Sequence, residues 1–414
     1  MILSADSRRR MTLGQNVSRI VLYSHDTLGF GHLRRNLLIA GALRRLDPAP
    51  EILMIAGMRE AGAFELPPGV DCLTLPAYEK GSDGSYKPRD LGSNLASLVR
   101  VRGQAIKASV LAFDPDLMIV DNVPRGAQGE LDPLLDALHR EGRTRLVLGL
   151  RDVIDRPDVV RTEWQKQRNF EAIHRYYEDI WVYGDPAFYD LLKDCGLKEQ
   201  LGGKGRFVGY LDHRTRLSSP LAIPMRNAIL GDDPRPYVLC AVGGGRDGGT
   251  LCEAFVRTTL PKNHRGILVT GSQMPDVLRD DLRACAKTRD DLTVVDFMAE
   301  PIALMAGAAR IVAMGGYNTI CEVLSLGVPS LIVPRVAPRA EQVLRAERLK
   351  ARGLIAMLRP ENLTADVLSA WLREAPPKAT ARGPLNMDAQ RNVCALAEQI
   401  LSVPHASDAP RFAS

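Results

Sequence analysis

The chain is poor in aromatic side chains, which make up 5% of its 414 residues. Base stacking needs such rings, so a nucleic-acid platform is not expected. Excess positive charge is also scarce. The formal net charge of +5 does not mark nucleic-acid binding. It suits an anionic small ligand or a weak preference for a membrane surface. No apolar run is long enough to span a bilayer. The 7 cysteines are scattered and form no CxxC pair, which reads as reduced, buried small residues of a cytoplasmic protein. No His/Cys/Asp cluster has metal-ligand spacing, and HExxH and GxSxG are missing. Zinc and serine hydrolase chemistry therefore has no support. The Walker pattern GxxxxGK[ST] is missing too, which argues against a P-loop kinase. Residues 1–16 carry arginines but no apolar segment after them, so they read as a tail and not as a secretory signal.

What is present is a repeated rhythm. Short apolar runs at 19–24, 51–56, 70–75, 117–121, 145–150, 180–183 and 206–209 read as buried strands. Between them, 36–45, 93–111 and 131–140 show helical periodicity. Residues 212–236 are rich in Arg, Pro and Asp without a period and read as a linker. The rhythm then restarts, with strands at 237–242, 266–270, 293–297, 311–314, 330–333 and 355–358. Helices follow at 251–259, 301–308, 342–352 and 388–401. The predicted fold is α/β: two facing Rossmann-like, doubly wound domains with a cleft at the carboxyl ends of their strands. The first covers 17–211 and the second 237–387. Helix 388–402 packs back on the first domain, and 403–414 is a tail. Loops 77–92 and 155–175 are expected to shape part of the cleft.

Three glycine turns follow strands. The first is Gly29-Phe30-Gly31-His32, with Arg34 and Arg35 behind it. Glycine lets backbone approach a ligand, and His32 in the first helical turn can act as a base near pH 7. A histidine merely packed under the loop is the alternative. The second turn is Gly243–Gly249, where backbone amides of Gly244 and Gly245 with Arg246 can hold a diphosphate. We read it as a phosphate turn distinct from the GxGxxG dinucleotide fingerprint, so a dehydrogenase is not expected. The third is Gly315-Gly316, with Asn318 or Thr319 capping the next helix. That helix end suits phosphate. Glu322, one turn beyond Thr319, can accept hydrogen bonds from a ribose diol. Together these describe a nucleotide, although an ordinary βαβ unit with a surface glutamate has the same outline. Asp121 and Arg151-Asp152 end strands of the first half. Either aspartate could orient His32 or serve as base, or simply make a turn. Glu341 and Gln342 lie beyond the third turn, with Arg335 and Arg339 near them.

The GxGH turn, the second glycine turn and the pattern GG-xx-T-xx-E-xxxx-G-x-P-xxxx-P (315–334) together resemble the GT-B glycosyltransferases. Family 28, typified by the N-acetylglucosaminyltransferase of the peptidoglycan lipid intermediate, is the best match. The resemblance runs from 17 to 401 and is strongest in 294–345. It implies an inverting transfer of a sugar from a nucleotide diphosphate donor, a UDP-sugar by family habit, to a hydroxyl acceptor. No metal and no other cofactor is implied. It places the donor ribose on Glu322, the diphosphate on Gly316, Asn318 and Thr319, and the base against Phe297 and Met298. The family's glutamine pair that reads the sugar is Glu341-Gln342 here. Gly245-Arg246 stands where the family has a serine. Arg151-Asp152 replaces an HEQN signature, which argues against the peptidoglycan lipid as acceptor. The acceptor stays open among saccharides, lipid-linked molecules and small molecules, and faces Gly29, Gly31, Arg34 and Arg151. The base is expected to be His32 first, then Asp152 or Asp121. Peripheral attachment to the inner face of the membrane is compatible with the first half. The start of the GFGHLRR segment also resembles the nucleotide-sugar hydrolase of pseudaminic acid synthesis, whose histidine activates water. A non-catalytic nucleotide-sugar-binding protein is the third reading.

Overall fold

The computed structural model describes residues 17–25, 31–58, 61–62, 64–81, 85–375 and 385–403. Gly29, the first glycine of the GxGH turn, lies outside the described residues. The strands in chain order are β1 (Arg19–Tyr23), β2 (Glu51–Ala56), β3 (Val70–Thr74), β4 (Tyr78–Lys80), β5 (Tyr86–Pro88), β6 (Leu117–Asp121), β7 (Arg145–Arg151), β8 (Asp179–Tyr183), β9 (Gly205–Phe207), β10 (Tyr237–Ala241), β11 (Arg265–Val269), β12 (Leu292–Val295), β13 (Arg310–Ala313), β14 (Ser330–Ile332) and β15 (Ala356–Met357).

Two parallel sheets hold all but β4 and β5. The first is 7-stranded in the order β3-β2-β1-β6-β7-β8-β9, and the second is 6-stranded in the order β12-β11-β10-β13-β14-β15. Both orders are those of a doubly wound sheet. The chain runs outward from a central strand on one side, returns, and continues on the other. The crevices beside β1/β6 and β10/β13 are therefore the switch points where ligands bind. Val, Ile and Leu fill the central strands because both faces are covered by helices. Ile20, Val21 and Leu22 of β1, and Ile311 and Val312 of β13, are fully buried.

Three stretches differ from the sequence expectation. Residues 77–92 contain the antiparallel β4–β5 hairpin. Tyr78 of this hairpin donates to Glu130 Oε2 at 2.8 Å, and Arg102 Nε reaches the same oxygen at 2.5 Å. Tethering to a buried ion pair orders a sequence with no strand pattern. Residues 155–175 fold largely into the helices Pro157–Lys166 and Asn169–Tyr176. The stretch 212–236 is not a periodless linker. It forms a 3-10 turn, His213–Ser218, and the helix Ala222–Leu230. That helix packs on the helix Ile302–Ala306. Helix Ala389–Ser402 lies against helix Gly31–Leu43 of the first half. Among the cysteines, Cys285 is exposed and so departs from the expected burial. Among the described residues no helix is long and apolar enough to cross a membrane.

The halves are joined by buried polar contacts. Arg345 Nη2 donates to Asp152 Oδ1 at 2.7 Å, with both side chains fully buried. Tyr317 donates to the Tyr183 carbonyl at 3.0 Å, and Arg35 and Arg345 each lie 5.5 Å from its ring centre. A tyrosine from the second half is thus held between two guanidinium groups, one from each half.

Candidate active site

The two switch points face each other across a cavity of about 370 Å³, within the size range of small-molecule sites. Its wall includes His25, His32, Arg34 and Arg151 from the first half. The second half contributes the Gly243–Asp247 turn, Phe297, Met298, Gly316, Asn318, Thr319, Glu322, Glu341 and Gln342.

His32 is brought to the wall by the first turn of helix Gly31–Leu43. Its Nδ1 bonds Asp121 Oδ2 at the end of β6. Arg35, one turn on, grips the same carboxylate through Nε at 2.9 Å and Nη2 at 2.5 Å. Burial alone would push the Asp121 pKa up, but Arg35 and then His32 outweigh it and hold the carboxyl well below the usual range. Asp121 therefore stays ionised and can accept from His32 Nδ1–H, which turns Nε2 toward proton transfer, while Arg35 Nη2 also lies 2.9 Å from that Nδ1. Asp121 is an orienting group in this geometry and does not face a substrate as a base.

His25 was missed by the sequence reading. Its ring centre lies 4.9 Å from that of His32. Burial first, and the charge of His32 second, hold its pKa well below the ordinary 6.5, so it stays neutral. The available signal was a histidine two residues past the first strand.

Asp152 is corrected. It does not line the cavity. Besides Arg345, it accepts from Tyr210 at 2.9 Å and from the Val153 amide at 2.7 Å. Gly315 likewise stands behind the wall, its carbonyl accepting from Arg345 Nη1 at 3.3 Å. Arg151, the residue before Asp152, does reach the cavity.

On the second half, helix Tyr317–Leu326 begins at Gly316, which caps it without a side-chain bond. Neither Asn318 nor Thr319 is the cap. An uncapped helix start leaves amide groups for an anion. The Asn318 amide instead donates to the Gly31 carbonyl at 2.6 Å. Glu322 is 3% exposed. Its Oε1 accepts from Arg216 Nη1 at 2.5 Å and lies 3.5 Å from Arg34 Nη1. Arg216 also holds Glu300 Oε1 at 2.6 Å. Arg216 was not anticipated, because a six-residue 3-10 turn has no periodic signature. Arg34 Nη2 crosses to the Met298 and Ala299 carbonyls at 3.3 and 3.1 Å. Gln342 Oε1 accepts from the Arg335 amide at 3.0 Å, and Arg335 Nη2 holds Glu341 Oε1 at 2.9 Å.

The turn after β10 needs its glycines. Gly245 has φ +93, and a Cβ there would meet the Thr270 carbonyl at 2.1 Å. Gly243, Gly245 and Gly248 do fall at GxGxxG spacing, which corrects the sequence reading. The ribose-binding acid expected after the next strand is absent, since β11 ends at Val269 and Thr270 follows. Arg246 stands at the cavity mouth, 4.0 Å from Glu79 of the hairpin. Among the described residues no group of three or more His, Cys, Asp or Glu could hold a metal ion.

Residues 250–400 match the glycosyltransferase family 28 C-terminal domain. The chain is similar to a UDP-N-acetylglucosamine–N-acetylmuramyl-(pentapeptide) pyrophosphoryl-undecaprenol N-acetylglucosamine transferase from Paenarthrobacter aurescens. Identity is 29% over 204 residues, 45% of this chain and 53% of that protein. The like-named transferase of Desulforudis audaxviator is 28% identical over 149 residues, 34% of this chain and 40% of that one. The chain thus spans about half or less of these relatives. Among solved structures, Acinetobacter baumannii MurG superposes with a TM-score of 0.55 at 15% identity, covering 92% of this chain and 99% of that one. The UDP-GlcNAc 2-epimerase of Neisseria meningitidis bound to UDP-GlcNAc gives 0.58 at 14% identity, covering 93% and 99%. These likenesses establish the two-domain fold.

Proposed function

We propose that the chain, which has the GT-B fold and whose residues 250–400 match the family 28 glycosyltransferase C-terminal domain, transfers a sugar, with inversion, from a UDP-sugar to an acceptor hydroxyl. The observation that carries this reading is the placement of His32, held from behind by Asp121, on the same cavity as the Gly316–Thr319 helix start and Glu322. The helix start and the Gly244–Arg246 turn take the diphosphate, and Glu322 takes the ribose. Phe297 and Met298 flank the base, with Glu341 and Gln342 at the sugar. The names of the curated relatives and the UDP-GlcNAc in the Neisseria structure support a uridine donor.

In the proposed reaction the acceptor oxygen attacks the anomeric carbon from the face opposite the diphosphate. Its proton passes to His32 Nε2, the new C–O bond forms, and the bond to the diphosphate oxygen breaks. Asp121 stabilises the imidazolium as it forms. Charge growing on the leaving diphosphate meets amide dipoles and Arg246 already in place, so the step needs no metal ion. Acceptor-free incubation with UDP-sugars tests the reading. Slow leakage of free sugar, unchanged by chelator, fits a transferase. Rapid stoichiometric release would mean that His32 activates water, the hydrolase reading that its place on the cavity wall also allows. If Glu322→Ala leaves UDP affinity unchanged, the ribose assignment is wrong.

A further inference from the structure

Arg34, Arg35, Arg151, Arg246, Arg335 and Arg339 are the arginines of the cavity wall. Each except Arg151 has a carboxylate oxygen within 4.0 Å. Among the described residues Arg151 has no side-chain hydrogen bond or ion pair, and its Nε is buried without a partner. Its surroundings do not compensate the charge. Burial above all, with Arg35 and Arg345 nearby, lowers its pKa to about 10 against a pull upward from Glu341 and Asp121. Asp121 is already engaged by Arg35, and Glu341 is held by Arg335 through Oε1, its buried Oε2 lying outside hydrogen-bond reach of any partner. A guanidinium held in such a place is costly unless an anion arrives.

We infer that the acceptor carries a carboxylate, which Arg151 binds beside the nucleophilic hydroxyl. The inference rests on the transferase reading and names its acceptor class. One unpaired guanidinium matches one negative charge and a planar two-oxygen partner. A phosphate monoester, with nearly twice that charge, would leave the site over-neutralised. Position agrees as well. Asp121 of β6 is paired with Gly149 of β7, and Arg151 lies two residues further on. At ~3.3 Å per residue and ~4.8 Å between strands, the Asp121 and Arg151 Cα atoms are about 8 Å apart. His32, bonded to Asp121, and Arg151 thus line one wall of the same cavity. Asn122, which follows Asp121, lines the same wall with a buried Oδ1 that has no partner and can accept from a neighbouring hydroxyl.

The test uses the full chain and small acids as probes. Glucuronate, glucose and glucose 6-phosphate are titrated by ligand-observed NMR in the presence of saturating UDP, against wild type, Arg151→Gln and Arg151→Lys. The expected result is glucuronate binding at least tenfold tighter than glucose and tighter than glucose 6-phosphate. The preference is lost in Arg151→Gln and reduced in Arg151→Lys, with UDP affinity kept in both. Equal binding of glucuronate and glucose overturns the inference. So does preference for the phosphate ester, or a matching loss of UDP affinity in Arg151→Gln, which would give Arg151 to the donor diphosphate. Failure of wild type to bind UDP while it selects glucuronate would count against the transferase reading and leave the carboxylate site standing.

Discussion

The Asn318 side-chain amide donates to the Gly31 carbonyl at 2.6 Å. This bond ties the start of the helix assigned to the donor to the start of the helix carrying His32. The contact leaves no room for a side chain, because a Cβ on Gly31 would lie 2.7 Å from Asn318 Nδ2. Asn318→Ala is expected to cost about 0.5–1.5 kcal/mol, the net worth of one hydrogen bond. Gly31→Ala should displace the amide and separate the helix starts. The double variant should recover part of that loss, because alanine at 318 removes the clash. Urea denaturation of the four proteins checks the coupling; additive losses would mean that the two residues do not act through this contact.

Asp152 should matter for stability and not for proton transfer. It is fully buried on Arg345, across the boundary between the halves. Asp152→Asn leaves that guanidinium without its charge partner and should cost about 3–5 kcal/mol. If the folded fraction is accounted for, the pH–rate profile should keep its shape. A lost acidic limb would restore Asp152 as base.

Asp121→Asn should lower turnover on the order of 10²-fold or more, since His32 loses the group that orients it and stabilises its charge. The same substitution should change the acid stability curve. The folded pKa of Asp121 is depressed by Arg35 and His32. Its contribution is therefore full above the unfolded value of about 3.9 and lost as pH falls toward the folded one. Chemical denaturation from pH 5 downward should show a shallower decline in the variant than in wild type.

Two buried histidines act in a higher window. His25 and His213 are both held well below 6.5, mainly by burial. The unfolded chain binds protons there before the folded chain does. Their contribution is thus full above 6.5 and falls as the pH drops below it. Stability measured between pH 7.5 and 5 should decline, and His25→Asn together with His213→Asn should flatten that slope.

Much of this site was legible because its signals are local. An apolar run, a glycine turn and an amphipathic helix lie consecutively at 19–43 and again at 310–332, so strand, switch point and helix start could be read in order. Glu322 followed from helical spacing to Thr319. What was not legible depends on tertiary partners. Asp152 ends a strand just as Asp121 does, and only Arg345, far along the chain, decides that it turns away from the cavity. The β4–β5 hairpin is held by Glu130 and Arg102, which its own sequence does not reveal. Arg216 sits in a charge-rich stretch whose short 3-10 turn has no period, yet it positions the carboxylate that the sequence did identify.

That last relationship gives the sharpest test of the ribose assignment. Arg216 grips Glu322 and Glu300 with different edges of one planar fork. Lysine at 216 keeps the positive charge but cannot hold two carboxylates in fixed positions. Arg216→Lys should therefore leave Glu322 misoriented. UDP affinity is expected to fall roughly tenfold, about 1.4 kcal/mol, while 2′-deoxy-UDP, which lacks one hydroxyl of the diol, loses less. Calorimetric titration of both nucleotides into wild type and variant measures the difference. If UDP and 2′-deoxy-UDP weaken equally, Arg216 acts on overall folding or charge and the ribose is not read through Glu322.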